Sequence, residues 1–395
     1  MGSNLEETIK SDIEVYTEPE LITFENYQEE EIVVKSKKYH DHNLKMLILG
    51  KILSPLVLVI IILLKIPESF SNIAGSDFII SIAFVTLGLF FINWIIFFPF
   101  SIYDEHIDRK FKFSTRSNKR WVRDQLLGIV LYVMFGLIII EILYLTIKTV
   151  PDYWWFLAFL GYYLISSILS SLAPIIFIPL FMKVTPLANG PVRERVEKLA
   201  NEMNLNYKDI YEIKMSDMTT RDNAMVAGFG KTIRIMLGDN MIKKYRLDEI
   251  EIIMAHEIGH QQNKDIYKMI LFSGILILIA FIIIDQSFST FIPILNYSSK
   301  SDPASIVFFL LIFGLINELL NILLLAFSRH NEIQADIIAI KQTKNLESFI
   351  SSFLRAEKEN LIYPYPSKIE QWLLFSHPPI RERISRAKEE ILQKT

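Results

Sequence analysis

The chain has 395 residues, 51% of them hydrophobic, with a formal net charge of −3 and no cysteine. So apolar a composition departs from ordinary soluble domains, and the near-neutral balance supplies no field for nucleic acid. The missing thiols exclude disulfides, thiolate metal sites and a cysteine nucleophile, so any metal must be held by nitrogen and oxygen.

Residues 1–45 read as an acidic N-terminal tail. Through residue 31 it carries ten Asp or Glu against one Lys. It is expected to be mobile or to lie on a surface, and no cleavable signal precedes the first apolar run. Six apolar runs follow, at 46–64, 79–98, 126–147, 154–182, 268–284 and 305–327. Each nears or exceeds the roughly 20 residues that cross a hydrocarbon core. They predict a mainly α-helical, polytopic membrane bundle of about six spans, four within 46–182 and two within 268–327. The loop 101–125 carries seven Lys or Arg, whereas 65–78 and 285–304 carry one Lys each. Segments 183–267 and 328–395 are rich in Lys and Arg as well. The bias of basic loops toward the cytosol then places both segments and both termini there. The Ile- and Lys-rich composition leans toward a bacterial inner membrane, with the endoplasmic reticulum membrane as the alternative.

Segment 183–267 reads as the first part of a cytosolic domain. From Asn223 to Leu237 two short strands flank "GFGK", with Ile233, Ile235 and Leu237 alternating. An edge strand there can pair with an extended peptide, and an ordinary structural hairpin is the plainer alternative. Next comes "IMAHEIGHQQNKD", residues 253–265, on a helix for which Asp248 and Glu251 form the expected capping pair. His256 and His260 are one helical turn apart and share a face. Glu257 lies beside them, where a base can take a proton from water activated by a metal. Past the last apolar run, "SRHNEIQADIIAI" offers Glu332 as third ligand and Asp336, one turn on, to accept a ligand imidazole's free N–H. His330 is the competing third ligand, and a solvated acidic pair the bland reading. Glu318 lies within the sixth span, as cavity lining or in an ion pair.

Taken in order, these motifs resemble the type I CAAX prenyl endopeptidases, integral-membrane zinc proteases that cleave prenylated peptides. The likeness runs from about residue 80 to the C-terminus. It includes "PFSIYDEHIDRKFKFSTRSNKRWVRDQL", "IPLFMKVTPL", "NAMVAGFGKTIRIMLGDNMI", "MAHEIGHQQNKD", "NELLNILLLAFSRHNEIQAD" and "FSHPPIRERI". The resemblance implies one zinc ion per chain on His256, His260 and Glu332, with Glu257 as general base and Asp336 behind the ligands. It implies that Asn223 and Ala224 lie along the bound peptide. It also implies that His377 and Arg383 face the site, to stabilise the oxyanion and hold substrate. The helices would enclose a chamber capped by a gluzincin-type protease domain with a small β-hairpin or sheet.

Three departures stand out. The family's first span has no counterpart, "TTRDNA" puts Arg221 where a histidine is common, and an insertion before the histidine motif is absent. The expected function is zinc-dependent hydrolysis of membrane-associated peptides, including lipidated ones, at the bilayer. A general quality-control membrane protease is the alternative, and a metal transporter a more distant one. Oligomeric state is not legible.

Overall fold

The computed structural model describes residues 16–392 apart from Phe229. Residues 1–15 of the expected acidic tail, and the Phe of "GFGK", lie outside the described residues. The first helix, α1, runs Glu29–Leu63, so helix begins well before the apolar run. Its first turn holds Glu29, Glu30 and Glu31, whose charge suits the positive end of a helix dipole. Residues 16–28 strap across the domain that follows the bundle in sequence. Tyr16 Oη donates to Tyr245 O (2.8 Å), Ser351 Oγ accepts from Ile22 N (2.9 Å), and Tyr27 Oη donates to Glu357 (2.6 Å).

After α1 come the short α2 (Ile66–Ala74), then α3 (Phe78–Lys110) and α4 (Asn118–Thr149). Asp77 and Ser117 cap the last two, accepting from Ile80 N (2.9 Å) and Arg120 N (3.2 Å). Next are α5 (Trp154–Leu172), a π-turn (Ala173–Phe177) and α6 (Ile178–Phe181). Among the described residues five helices are long and apolar enough to span a bilayer: α1, α3, α4, α10 (Asp265–Ile294) and α11 (Ile306–Thr343). The bent pair Trp154–Ser170 and Ile175–Phe181, at 52°, makes six if it is one span. The inner faces pack Ile82, Val85, Tyr144, Trp154, Phe288 and Phe308 together, while Ile95, Leu126, Ile138 and Leu319 face outward, as a bilayer requires. Glu318 pairs with Lys51 and lines a cavity of ≈740 Å³ between α1, α3 and α11.

The second region holds a four-stranded sheet in the order β1-β2-β4-β3. Its strands are β1 (Val184–Pro186), β2 (Asp209–Ile213), β3 (Ala224–Ala227) and β4 (Arg234–Gly238). The expected hairpin is β3–β4, antiparallel with Ala224 opposite Leu237, and β3 is an edge strand. β2 and β4 run parallel, joined across the chain rather than by a local turn. Helices α7 (Pro191–Glu202), α8 (Asp239–Lys244) and α9 (Leu247–Gln262) surround it. Val196, Leu199, Ile210, Ile235, Ile250, Met254 and Ile258 form its core. The C-terminal part adds α12 (Leu346–Asn360), α13 (Lys368–Leu374) and α14 (Ile380–Leu392).

Candidate metal centre

α9 carries the histidine motif. Its capping differs from the expected Asp248–Glu251 pair: Glu249 Oε2 accepts from Arg246 N (2.9 Å) instead. Asp248 is drawn to Ser348 (2.8 Å) and Glu251 to Arg195 (2.7 Å). Glu249 is fully buried and held by Arg355 (2.6 and 3.0 Å), which ties α9 to α12. The motif's Gly259 lets α9 approach α11 closely, because an added Cβ would sit 3.3 Å from Ile338 Cβ and 3.4 Å from Ala335 Cα.

That approach brings the donors together. One donor atom each from His256, His260 and Glu332 lie within 4.8 Å of one another. His256 Nε2 is 3.3 Å from Glu332 Oε2, His260 Nε2 is 3.4 Å from Glu332 Oε1, and the two Nε2 atoms are 3.2 Å apart. The Nδ1 atoms turn away, His256 to Asp336 Oδ1 (2.9 Å) and His260 to Asp265 Oδ2 (2.8 Å). A carboxylate on each Nδ1–H fixes a tautomer whose Nε2 lone pairs face each other, which suits a shared cation. Glu332 Oε2, buried, has no hydrogen-bond partner. Burial opposes charge on His256, yet the Asp336 and Glu332 carboxylates outweigh it and lift the imidazole to about 9. These residues fit a metal bound by two imidazoles and a carboxylate, with only nitrogen and oxygen donors. Glu332, and not His330, is grouped with the two histidines.

Asp265 was not anticipated from sequence. It enters the site because Lys264, in the left-handed conformation (φ 57°), breaks the chain between α9 and α10 and turns Asp265 back onto His260. Arg383 lines the cleft, as expected of a residue that faces the site. It is buried, with Nε and Nη2 on both Asp336 oxygens (2.7 and 2.6 Å) and Nη2 3.3 Å from Glu332 Oε2. His377 is exposed and lies over them, Nε2 3.2 Å from Glu332 Oε1 and Nδ1 2.8 Å from Ser376 Oγ.

A cleft of ≈230 Å³ joins these groups: Asn223 and Ala224 line it with His256, Glu257, His377 and Arg383. Gln261 on α9 donates to Val226 O (3.1 Å), fixing β3 beside the motif. The approach to β3 is anchored to the membrane helices. Arg221 bonds Tyr39 of α1 and lies 3.2 Å from Asp108 of α3, over the Phe113 ring. Asp222 exchanges hydrogen bonds with Asn360 (2.9 and 3.3 Å) on the other side.

A helical membrane bundle that carries a two-histidine, one-glutamate centre beside an edge strand defines a membrane metallopeptidase. Comparison places it more narrowly. Residues 186–391 match the model of peptidase family M48, and residues 17–183 match the CAAX prenyl protease N-terminal region of five membrane helices. The chain belongs to peptidase family M48 and is a metalloendopeptidase. The likeness thus begins well before residue 80. Relatives include an uncharacterized metalloprotease, YhfN, of Bacillus subtilis, 28% identical over 82% of this chain and 75% of its own. CAAX prenyl protease 1 of Saccharomyces cerevisiae is 28% identical over 73% and 67%. The crystal structure of S. mikatae Ste24p superposes with a TM-score of 0.83 at 22% identity, covering 95% of this chain and 92% of that one.

Proposed function

We propose that the chain is a zinc endopeptidase that cleaves peptides held at the membrane, lipidated C-termini among them, with one zinc ion on His256, His260 and Glu332. One observation carries this reading. Three donors converge, and two of them, His256 and Glu332, line a cleft with Glu257 and with the start of the edge strand β3. When bound, the metal supplies Lewis acidity to a scissile carbonyl and acidity to a water molecule.

The chain's own residues do the rest. Asp336 and Asp265 hold the imidazoles in register, and Arg383 keeps Asp336 ionised. β3 borders the cleft at Ala224, where an extended peptide can lie, and Asn223 just before it binds the peptide through its amide. Glu257 takes a proton from the attacking water on its carboxylate and returns it to the leaving amine. His377 lies on the open side of the ligands, where an N–H can offset charge on the tetrahedral oxygen. The basic loop 101–125 orients the cleft to the cytosol. The CAAX prenyl protease names of several relatives supply the lipidated-substrate half of the reading. Purified protein should cleave a membrane-tethered peptide, stop with a chelator and recover with zinc. Metal-replete protein that cleaves no peptide would leave a metal-binding membrane protein in its place.

A further inference from the structure

The short helix α13 is amphipathic the wrong way round for a protein surface in water. Ile369, Trp372 and Leu373 stand at i, i+3 and i+4, so they share one face, and they are exposed (72%, 63% and 38%). No residue of the helix is buried. Its polar residues are the ones tied to the rest of the protein. Glu370 faces His40 of α1 (3.5 Å), and Gln371 Nε2 donates to Pro366 O (2.9 Å). A surface helix in water buries its apolar stripe and shows its polar face. This one shows the stripe.

The level of the helix along the spans says what covers that stripe. Arg329 stands just past the apolar run 305–327 of α11, and its guanidinium donates to Gln371 O (3.0 Å) and Phe375 O (2.6 Å). His40 precedes the apolar run of α1, which begins at 46, by six residues, or about 9 Å of helix. α13 is therefore held where α1 and α11 both pass from apolar to polar sequence. A bilayer has its interface at that level. Trp is enriched there, because its ring joins an apolar body to an N–H. Amphipathic helices that lie there sink their apolar face about 5–10 Å into the boundary between headgroups and acyl chains.

We infer that α13 is an interfacial helix, whose Ile369, Trp372 and Leu373 insert into the leaflet on the side of the metal cleft. Its partner is the lipid surface. His377 follows Leu374 by three residues, so docking of α13 ties the open edge of the cleft to the bilayer. Insertion requires no peptide hydrolysis, so it stands or falls apart from the protease reading.

The test uses the full-length, metal-replete protein in phosphatidylcholine vesicles. The cysteine-free chain accepts a single probe, Trp372→Cys labelled with a nitrobenzoxadiazole fluorophore. Its emission should be shifted to the blue. A nitroxide on the upper acyl chain of the lipid should quench it strongly, and iodide in the buffer weakly. Adding Ile369→Glu and Leu373→Glu to the labelled chain should reverse that order, with metal content unchanged. Ile369→Cys carries the same label on the same face and serves if the first variant misfolds. Strong iodide quenching with weak nitroxide quenching at both positions puts the stripe in water and overturns the inference. Shielding from both quenchers puts a protein surface over it, a second copy or another chain, and overturns it too. Lipid quenching that survives both glutamates would show that the stripe does not drive insertion, and would also count against it.

Discussion

Glu332 Oε2 is buried and lacks a hydrogen bond, and His256 and His260 turn their Nε2 atoms toward it. Glu332→Ala should therefore lose the metal, while His330→Ala should keep it, as elemental analysis of purified protein would show. Asp336→Ala and Asp265→Ala should each weaken metal affinity by roughly 10–100-fold, measured against a competing chelator. Of these groups Asp336 was legible, because it follows Glu332 by one turn of an evident helix. Asp265 was not, since its role depends on a left-handed residue that is a lysine and so leaves no glycine signal. Arg383 was legible as a residue of the site but its pairing with Asp336 was not, because a sequence does not show which carboxylate takes a guanidinium. A second residue-level expectation concerns pH. Burial would raise the Asp239 carboxyl, but hydrogen bonds from Ser216 and the Lys214 ammonium (3.1 Å) more than offset it and hold it below its usual value. A depressed native value stabilises the fold above the unfolded value near ~3.9 and ceases to do so as pH falls through the native one. Asp239→Asn should cost about 1–3 kcal/mol at pH 7. The gap to wild type should close in acid, as denaturant titrations at pH 7 and pH 3 would show.

At the scale of elements, α11 is one 38-residue helix that contains the last span and also Glu332 and Asp336. Membrane packing and metal geometry are thus set by a single rod. The apolar run and the ligand pattern were both visible, but their continuity was not, because polarity changes at Ser328 without a helix break. The sheet was half visible. The β3–β4 hairpin is local and alternates, whereas β2 pairs in parallel with β4 across an intervening stretch that no short-range pattern reports. The loop before β3 links the two halves of the molecule through Arg221, which reaches α1 and α3. Arg221→Ala should leave metal content intact but displace Asn223 and Ala224, raising KM more than it lowers kcat. A misplacement of about 1 Å can cost up to about 10²-fold in efficiency. Unchanged kinetics in a metal-replete variant would confine Arg221 to packing.

Over the whole molecule, the bundle and the catalytic-type domain meet with the cleft beside the ends of the spans. The basic loop 101–125 and the segments flanking the metal helices predict that this side is cytosolic. The cysteine-free chain makes labelling clean: a cysteine at Ser117 should be protected from an impermeant reagent in intact cells, and one at Ser299 should react. The reverse pattern would put the cleft outside. Membrane character was legible because length and hydropathy alone determine it; of the six expected spans, five are single helices among the described residues and the sixth rests on a pair bent by 52°. The packing of residues 16–28 against α12 was not, because an acidic, polar strap resembles a mobile tail until its partners Ser351 and Glu357 are in place.

The central claim, that Glu257 serves as the base of a metal-dependent peptidase, is tested most directly by turnover in Glu257→Gln protein loaded with zinc. The account predicts one metal per chain, retained peptide binding and turnover reduced by on the order of 10²–10⁴-fold, because the amide cannot accept the water's proton. Turnover within a few-fold of wild type, in protein shown to be metal-replete, would contradict it.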